Sequence, residues 1–339
     1  MKLPRRLVVM VALTAIALTA CTEEAKQEPA APQGTSAPQA GGVTGRPVKV
    51  AFSAPGADHG WLKAITDNAR KAAEELKVDL VLAEGTNDTA SQVSQVETLI
   101  SQKPDVLVIL PQEGGALTPI AQKAMQAGIP VVNVDREFST PAAYRTWIGG
   151  DNYGIGKAAA DFIANELKCN GNVVEIQGVA GISVTEERTK GFTDGIKRCD
   201  GGIKVVASQP ADFLPDKGLQ VMETMLQGHK DIKAVYTHDD VMAMGAVQAI
   251  RNAGREDEMF ITGAGGSKDA MNLIAEGNLY RATFLYNPSM AGSAISLAKL
   301  IAERKGLSEL VEPEVPSRIQ LPATTVTKEN VASVQSLGY

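Results

Sequence analysis

Short apolar runs alternate with helix-spaced apolar patterns along almost the whole chain, and this alternation narrows the fold more than any other feature. Residues 48–53, 79–83, 106–110 and 130–135 read as strands. Runs such as Val106 to Leu110, with no polar break, suit strands buried on both faces. Between them, residues 61–76, a segment opening at Thr89 with Val93, Val96, Leu99 and Ile100, and residues 117–127 show helical spacing. Thr89 is the expected cap of its helix and Gly128 the stop after residues 117–127. The pattern then restarts. Strands are predicted at 172–176, 204–208, 234–237, 260–263 and 281–284, and helices at 153–167, 185–197, 216–227, 241–253, 268–276 and 288–304. Two successive sets of βα units predict an α/β protein with two doubly wound parallel sheets, each covered by helices.

The amino-terminal stretch carries a different signal. Lys2, Arg5 and Arg6 precede an apolar run over residues 7–18, followed by small residues and Cys21. This is the layout of a secretory signal peptide, and the run is far short of the roughly 20 residues of a membrane-spanning helix. The ending Leu18, Thr19, Ala20, Cys21 resembles a bacterial lipobox, which implies removal of residues 1–20 and lipidation of Cys21. The plainer alternative is an ordinary signal peptide with a chance cysteine. Residues 22–46 are mostly Glu, Ala, Gln, Pro, Gly, Ser and Thr, with Val43 the one sizeable apolar residue. Residues 21–46 are therefore expected to be a disordered tether, spanning about 25–30 Å as a flexible chain. The folded part, starting near Arg46, exceeds what one core usually holds, and so predicts two domains.

The formal net charge of −6 argues against nucleic acid as a partner. Cys169 and Cys199 each follow a predicted helix and precede a predicted strand. In an oxidising compartment they can pair, closing a loop of about 30 residues worth roughly 3–4 kcal/mol. Metal binding is the weaker reading, because the three histidines are scattered and no ligand spacing is present. No metal site and no cofactor are expected.

Parallel sheets bind ligands beyond the carboxyl ends of their strands. Those loops hold Asp58, His59 and Trp61; Asp135 and Arg136; Arg188; Asp212 and Phe213; His238, Asp239 and Asp240; Gly263 to Ser267; Tyr286 and Asn287. The set contains carboxylates, guanidiniums and aromatic rings, but no nucleophile elbow and no cysteine beside a histidine, so no catalytic residue is assigned. It suits a neutral polyhydroxyl ligand. Carboxylates accept from paired hydroxyls, guanidinium forks donate to them, and rings cover the apolar face of a sugar. Structural alternatives stand beside each assignment. Trp61 can be a core residue of its helix, Asp240 an N-cap, His59 and His238 braces, and Arg188 a partner of Glu187 or another surface acid. Asp135 and Arg136 resist such a reading, since adjacent opposite charges at the end of an apolar strand have little structural use.

At these residues the chain resembles the periplasmic binding proteins for monosaccharides, the ribose and galactofuranose binders in particular. The likeness runs from about Val48 onward. It rests on Ile129 to Arg136; Gly150, Asp151, Asn152 with Gly156; Glu175 to Gly178 leading to Glu187, Arg188, Gly191 and Phe192; Ser208 to Phe213; His238 to Met242 with Gly245; and Asn287 to Gly292. The resemblance implies a periplasmic binding protein type I fold, two lobes joined by a three-segment hinge that closes on sugar. It places residues 47–149 with 287–317 in one lobe and 150–286 with 318–339 in the other. It implies ligand contacts from Asp58, Trp61, Asp135, Arg136, Arg188, Phe213, Asp239 and Tyr286. It also implies a monomer that delivers its sugar to an ABC permease with a separate ATPase, touching the membrane only through its lipid.

Two departures stand out. Asp239 replaces the family's usual asparagine, and Gly265 replaces an aspartate in the Gly263 to Gly266 turn. They suggest an acceptor moved across the cleft, and room at Gly265 for a bulkier substituent. An enzyme is the first rival reading, because Gly154, Gly156 and Ala159 fit the glycine-rich dinucleotide pattern with Glu175 some 20 residues on. A cap at Asp151 or Asn152 would instead put both glycines inside a helix. A sugar-responsive repressor of this fold is excluded by the signal peptide and the missing DNA-binding helices. Presentation of ligand to a membrane sensor, or binding of a polyol, cyclitol or signalling molecule, remains as the nearer alternative.

Overall fold

The computed structural model describes residues 42–339 except 57–59, 84 and 278. The signal segment, Cys21, Asp58 and His59 lie outside the described residues. Residues ahead of Arg46 already pack on the fold. The Val43 amide donates to Ala302 O at 2.9 Å, and its side chain packs on the core. Arg46 forms a two-pronged pair with Asp105, both contacts at 2.7 Å. The only sizeable apolar residue of the expected tether is thus the one that docks.

The chain builds two six-stranded sheets. In the first half, β1 (Lys49–Ser53), β2 (Asp79–Leu82), β3 (Val106–Ile109), β4 (Val131–Val134) and β5 (Thr146–Gly150) alternate with α1 (Gly60–Leu76), α2 (Thr89–Ser101) and α3 (Gly114–Gln126). The second half runs α4 (Asn152–Glu166), β6 (Gly171–Gln177), α5 (Ser183–Ile196), β7 (Ile203–Pro210), α6 (Pro215–Gly228), β8 (Ala234–Thr237), α7 (Asp240–Asn252), β9 (Phe260–Gly265), α8 (Lys268–Glu276) and β10 (Tyr280–Leu285). Then follow α9 (Met290–Ala302), β11 (Arg318–Leu321), β12 (Thr325–Val326) and α10 (Val331–Val334). The sheet orders are β11-β5-β4-β3-β1-β2 and β12-β10-β9-β8-β6-β7. All neighbours are parallel except β10 and β12.

These strands read as apolar runs because both faces are covered. Every residue of β3 and of β4 is buried. The chain changes sheets three times. It leaves the first after β5, returns through α9, which packs on α1, β3 and β4, and crosses again between β11 and β12. Residues 318–321 pair with β5, so sheet membership changes after Leu321, later than Ser317. This edge strand alternates exposed and half-buried residues and offers no apolar run to recognise. Strand β5 is hidden for another reason. Its sequence ends in Gly149 and Gly150, which look like breakers. A Cβ at Gly149 would lie 2.3 Å from the Trp147 ring and one at Gly150 2.2 Å from the Tyr286 ring. The glycines leave space for those rings.

Of two cap assignments, one shifts and the other holds. Asp88, and not Thr89, caps α2 by accepting from Ser91 N at 2.7 Å. Asp151 caps α4, accepting from Gly154 N at 2.8 Å. Gly154 and Gly156 therefore sit within the helix, away from any phosphate-binding turn. A Cβ at Gly156 would meet Arg188 O at 2.1 Å, so this glycine lets α4 and α5 approach.

Cys169 and Cys199 form a disulfide, with Cα atoms 5.0 Å apart. They precede β6 and β7, so the bridge ties the amino ends of two neighbouring strands. It constrains a 30-residue separation in the unfolded chain. The paired substitution Cys169→Ser with Cys199→Ser is expected to cost about 3–4 kcal/mol of stability, read as a lower urea midpoint than the oxidised parent. An unchanged midpoint would contradict this.

Candidate functional site

The carboxyl ends of strands from both sheets line one cavity of about 550 Å³, within the range of small-molecule sites. The first half supplies Trp61 at the start of α1, with Asp135 and Arg136 after β4. The second supplies Arg188 on α5, Phe213 after β7, Asp239 after β8, Gly265 at the end of β9, and Tyr286 after β10. All eight border the same space.

Asp135 turns the chain. Its φ is +63°, a left-handed conformation that aspartate tolerates better than most residues. Its amide still reaches Ile148 O at 2.9 Å, so the turn is pinned to β5. The next side chain, Arg136, is held from below: Nη1 donates to Gln112 O at 2.7 Å and to Pro111 O at 3.4 Å. Its Nε lies 3.9 Å from the Asp135 carboxylate. Burial pushes the Asp135 carboxyl up, while Arg136, the Tyr286 phenol and Arg188 pull it back.

Tyr286 joins the two halves. Its hydroxyl donates to Asp135 in the first half and accepts from Asn152 Nδ2 at 3.3 Å in the second. The Arg188 guanidinium lies 4.8 Å over its ring, and the Trp61 ring lies 5.4 Å away. The Trp61 indole N–H donates to Tyr286 O at 2.6 Å. Trp61 is thus half-buried cavity wall with a polar tether. Arg188 does not pair with a surface acid. It is buried, donating to Asn152 Oδ1 at 3.0 Å and to His238 O.

Phe213 occupies an uncommon conformation. It and Asp212 have φ of +60° and +54°, costly for a bulky ring. The ring lies flat against Gly178, where a Cβ would stand 2.1 Å from Phe213 Cζ. Gly178, at the end of the Glu175 to Gly178 run, is the sequence trace of that stacking.

At the next loop the cap expected at Asp240 falls to Asp239, which keeps its place on the cavity wall as well. Asp239 is the N-cap of α7, accepting from Met242 N at 2.8 Å, and it also faces the cavity. Burial raises its pKa to about 7, with the cap bond opposing and the Asp240 charge reinforcing. Asp240 is not the cap. It is fully buried and accepts from Gly266 N, Ser267 N, the Tyr280 hydroxyl and Thr283 Oγ1, each at 2.7 Å. It binds α7 to the β9 turn. Nor is Gly265 open room for a substituent. Its φ is +132°, and an added Cβ would lie 2.7 Å from the Tyr339 hydroxyl. That space is already filled.

His238 is a brace. Its Nε2 lies 2.9 Å from Glu175 Oε1, and Thr189 and Ser208 also donate to that carboxylate, at 2.9 and 2.6 Å. Burial opposes the charge on Glu175, but these bonds hold its pKa below the ordinary value; burial lowers that of His238. The network fixes the strand whose next carbonyl receives Arg188.

Sequence reasoning missed Asn87, Gln112, Lys217 and Tyr339, all on the cavity wall, and Asn152 behind it. Gln112, directly after an apolar strand, obeyed the strand-end rule and was findable. Tyr339 follows no strand of the second sheet's core and had no such signal. Among the described residues no cluster of three or more His, Cys, Asp or Glu could hold a metal ion.

With three carboxylates, two guanidiniums and four aromatic rings along its wall, this cavity can recognise a small hydroxylated molecule. Known proteins carry the same frame. The galactofuranose-binding protein of Escherichia coli is 33% identical over 303 residues, covering 86% of this chain and 93% of that one. The ribose import binding protein of Bacillus subtilis is 38% identical over 222 residues, covering 66% and 70%. Among solved structures, the fructose binding periplasmic domain of a hybrid two-component system superposes with a TM-score of 0.77 at 30% identity, covering 85% of this chain and 93% of that one. Residues 50–306 match the periplasmic binding protein domain, and the chain belongs to that family.

Proposed function

We propose that this chain is an extracytoplasmic solute-binding protein that captures a monosaccharide by closing its two halves, then delivers it to an ABC permease without chemical change. One observation carries the reading. Asp135 and Arg136 from the first sheet, and Arg188, Phe213 and Asp239 from the second, face a single cavity. A neutral ring with several hydroxyls satisfies both charge types at once, and charge-assisted hydrogen bonds are the strong ones. A ligand touching both halves favours whichever arrangement brings them together. The relatives named for ribose, galactofuranose and fructose support the substrate class. The Leu18 to Cys21 ending supports lipidation at Cys21 and a tether to the membrane surface. The set of side chains in the cavity supports binding without catalysis.

Presentation of the sugar to a membrane sensor is the second reading, favoured by the likeness to a two-component system's periplasmic domain. Co-purification with a permease supports transport, and with a receptor kinase supports sensing.

Trp61 reports on the cavity, so intrinsic fluorescence and calorimetry can follow binding. Asp135→Asn or Arg136→Gln should weaken sugar affinity by about 10- to 100-fold, the loss of a charge-assisted hydrogen bond, with the fold retained by circular dichroism but the melting midpoint lowered, because each leaves a buried partner uncompensated. Parent-like affinity in either variant would remove that residue from the site.

Asp239 sets a pH dependence. Its carboxylate takes up a proton as the pH falls through about 7, and a protonated carboxyl accepts poorly. Sugar affinity should therefore drop on acidification through that pH, and Asp239→Asn should flatten the profile. The stability contribution has the opposite sign. The folded state holds this proton more tightly than the unfolded chain, so stability from Asp239 declines as the pH rises from 3.8 to about 7. A flat affinity profile in the parent would refute the assignment.

A further inference from the structure

Gly265 and Tyr339 are distant in sequence but form one piece of the cavity wall. Gly265 holds φ +132°, and an added Cβ would stand 2.7 Å from the Tyr339 hydroxyl and 3.5 Å from its Cε1. The phenol thus occupies the volume that a side chain at 265 would claim. Its position is fixed by backbone. Lys268 N donates to Tyr339 O at 3.1 Å, and Asn287 Nδ2 donates to Leu337 O at 2.9 Å. Gln335 adds a bond to Asn272 at 2.8 Å. The segment is therefore stapled to α8 and to the crossing before α9. Burial and the charges of Asp240 and Asp239 raise the Tyr339 pKa well above the usual value, so the ring enters as a neutral phenol. Its hydroxyl is buried with no hydrogen-bond partner among the described residues. An unpartnered buried hydroxyl costs stability, so removing it alone is not expected to weaken the fold.

We infer that Tyr339 is a specificity-determining residue that closes the Gly265 end of the cavity and limits the ring substituent a ligand can carry there. The inference rests on the sugar-binding reading and adds a size rule to it. One methylene in such a site changes affinity by about 10- to 200-fold, enough to decide between a pentose and the hexose built on it.

The test uses matched pairs. In their pyranose forms D-allose is D-ribose, and D-galactose is L-arabinose, each with an added hydroxymethyl group. Calorimetry on the full chain compares affinities within each pair for the parent, Tyr339→Ala and Tyr339→Phe. Tyr339→Ala should shift the ratio toward the hexose by at least about 10-fold in one pair or both. Tyr339→Phe, which keeps the volume, should leave the ratio as in the parent, with a melting midpoint equal or higher. Should the alanine variant unfold, Tyr339→Leu is measured instead, with a shift in the same direction expected. An unchanged ratio in the truncated variant overturns the inference while leaving sugar binding intact. So does an equal loss for all four sugars in Tyr339→Phe, which would make the hydroxyl a ligand contact. A parent that binds none of the four overturns the sugar reading and the inference together.

Discussion

The placement of Tyr286 is the constraint on which the two halves depend. A tyrosine buried at a sheet junction must satisfy its hydroxyl, and here the partners come from opposite sides: Asp135 after β4 and Asn152 at the start of α4. The ring is capped by Trp61 and by the Arg188 guanidinium. Desolvating Asp135 is costly, and the costs are offset only because Arg136, Arg188 and the phenol converge on it. Each group therefore makes the next one tolerable. Gly150 is required by the same ring, since any side chain there would overlap it. One aromatic residue thereby links a strand end, a helix start and a buried charge pair.

Behind the cavity lies a layer of groups that touch no ligand space but hold those that do. Glu175 and His238 set the strand end that receives Arg188, and Asp240 ties α7 to the β9 turn. The two carboxylates are buried and fully engaged, which is the usual condition for keeping charge in an interior, while His238 bonds through Nε2 and leaves Nδ1 without a partner among the described residues. The strained backbone at Asp212 and Phe213 sits on the opposite wall, where a precise ring position over Gly178 is the return for an unfavourable conformation.

Much of this was legible in the sequence, and the failures share a cause. Buried parallel strands announce themselves as apolar runs, so the two βα series and the strand-end residues Asp135, Arg136, Phe213 and Asp239 stand out. Strands β5, β11 and β12 do not. The first carries glycines that clear space for rings, the second alternates at an edge, and the third has two residues. The move of the α7 cap from Asp240 to Asp239 turns on a single residue of helix register, finer than periodicity resolves. The space at Gly265 misled for a deeper reason. An absent side chain looks like a vacancy until the fold brings a distant residue to fill it, and no local pattern announces Tyr339.

The three passages between sheets carry a consequence for how the molecule is made. Neither half is a continuous stretch of chain. The first sheet lacks its covering helix α9 and its edge β11 until every strand of the second sheet through β10 has been synthesised, and the second waits longer still for β12. Vectorial synthesis therefore cannot complete one half before starting the other. Both must close late and nearly together, and a shortened product missing its final segment would leave two incomplete sheets with bare edges, prone to pair with their neighbours.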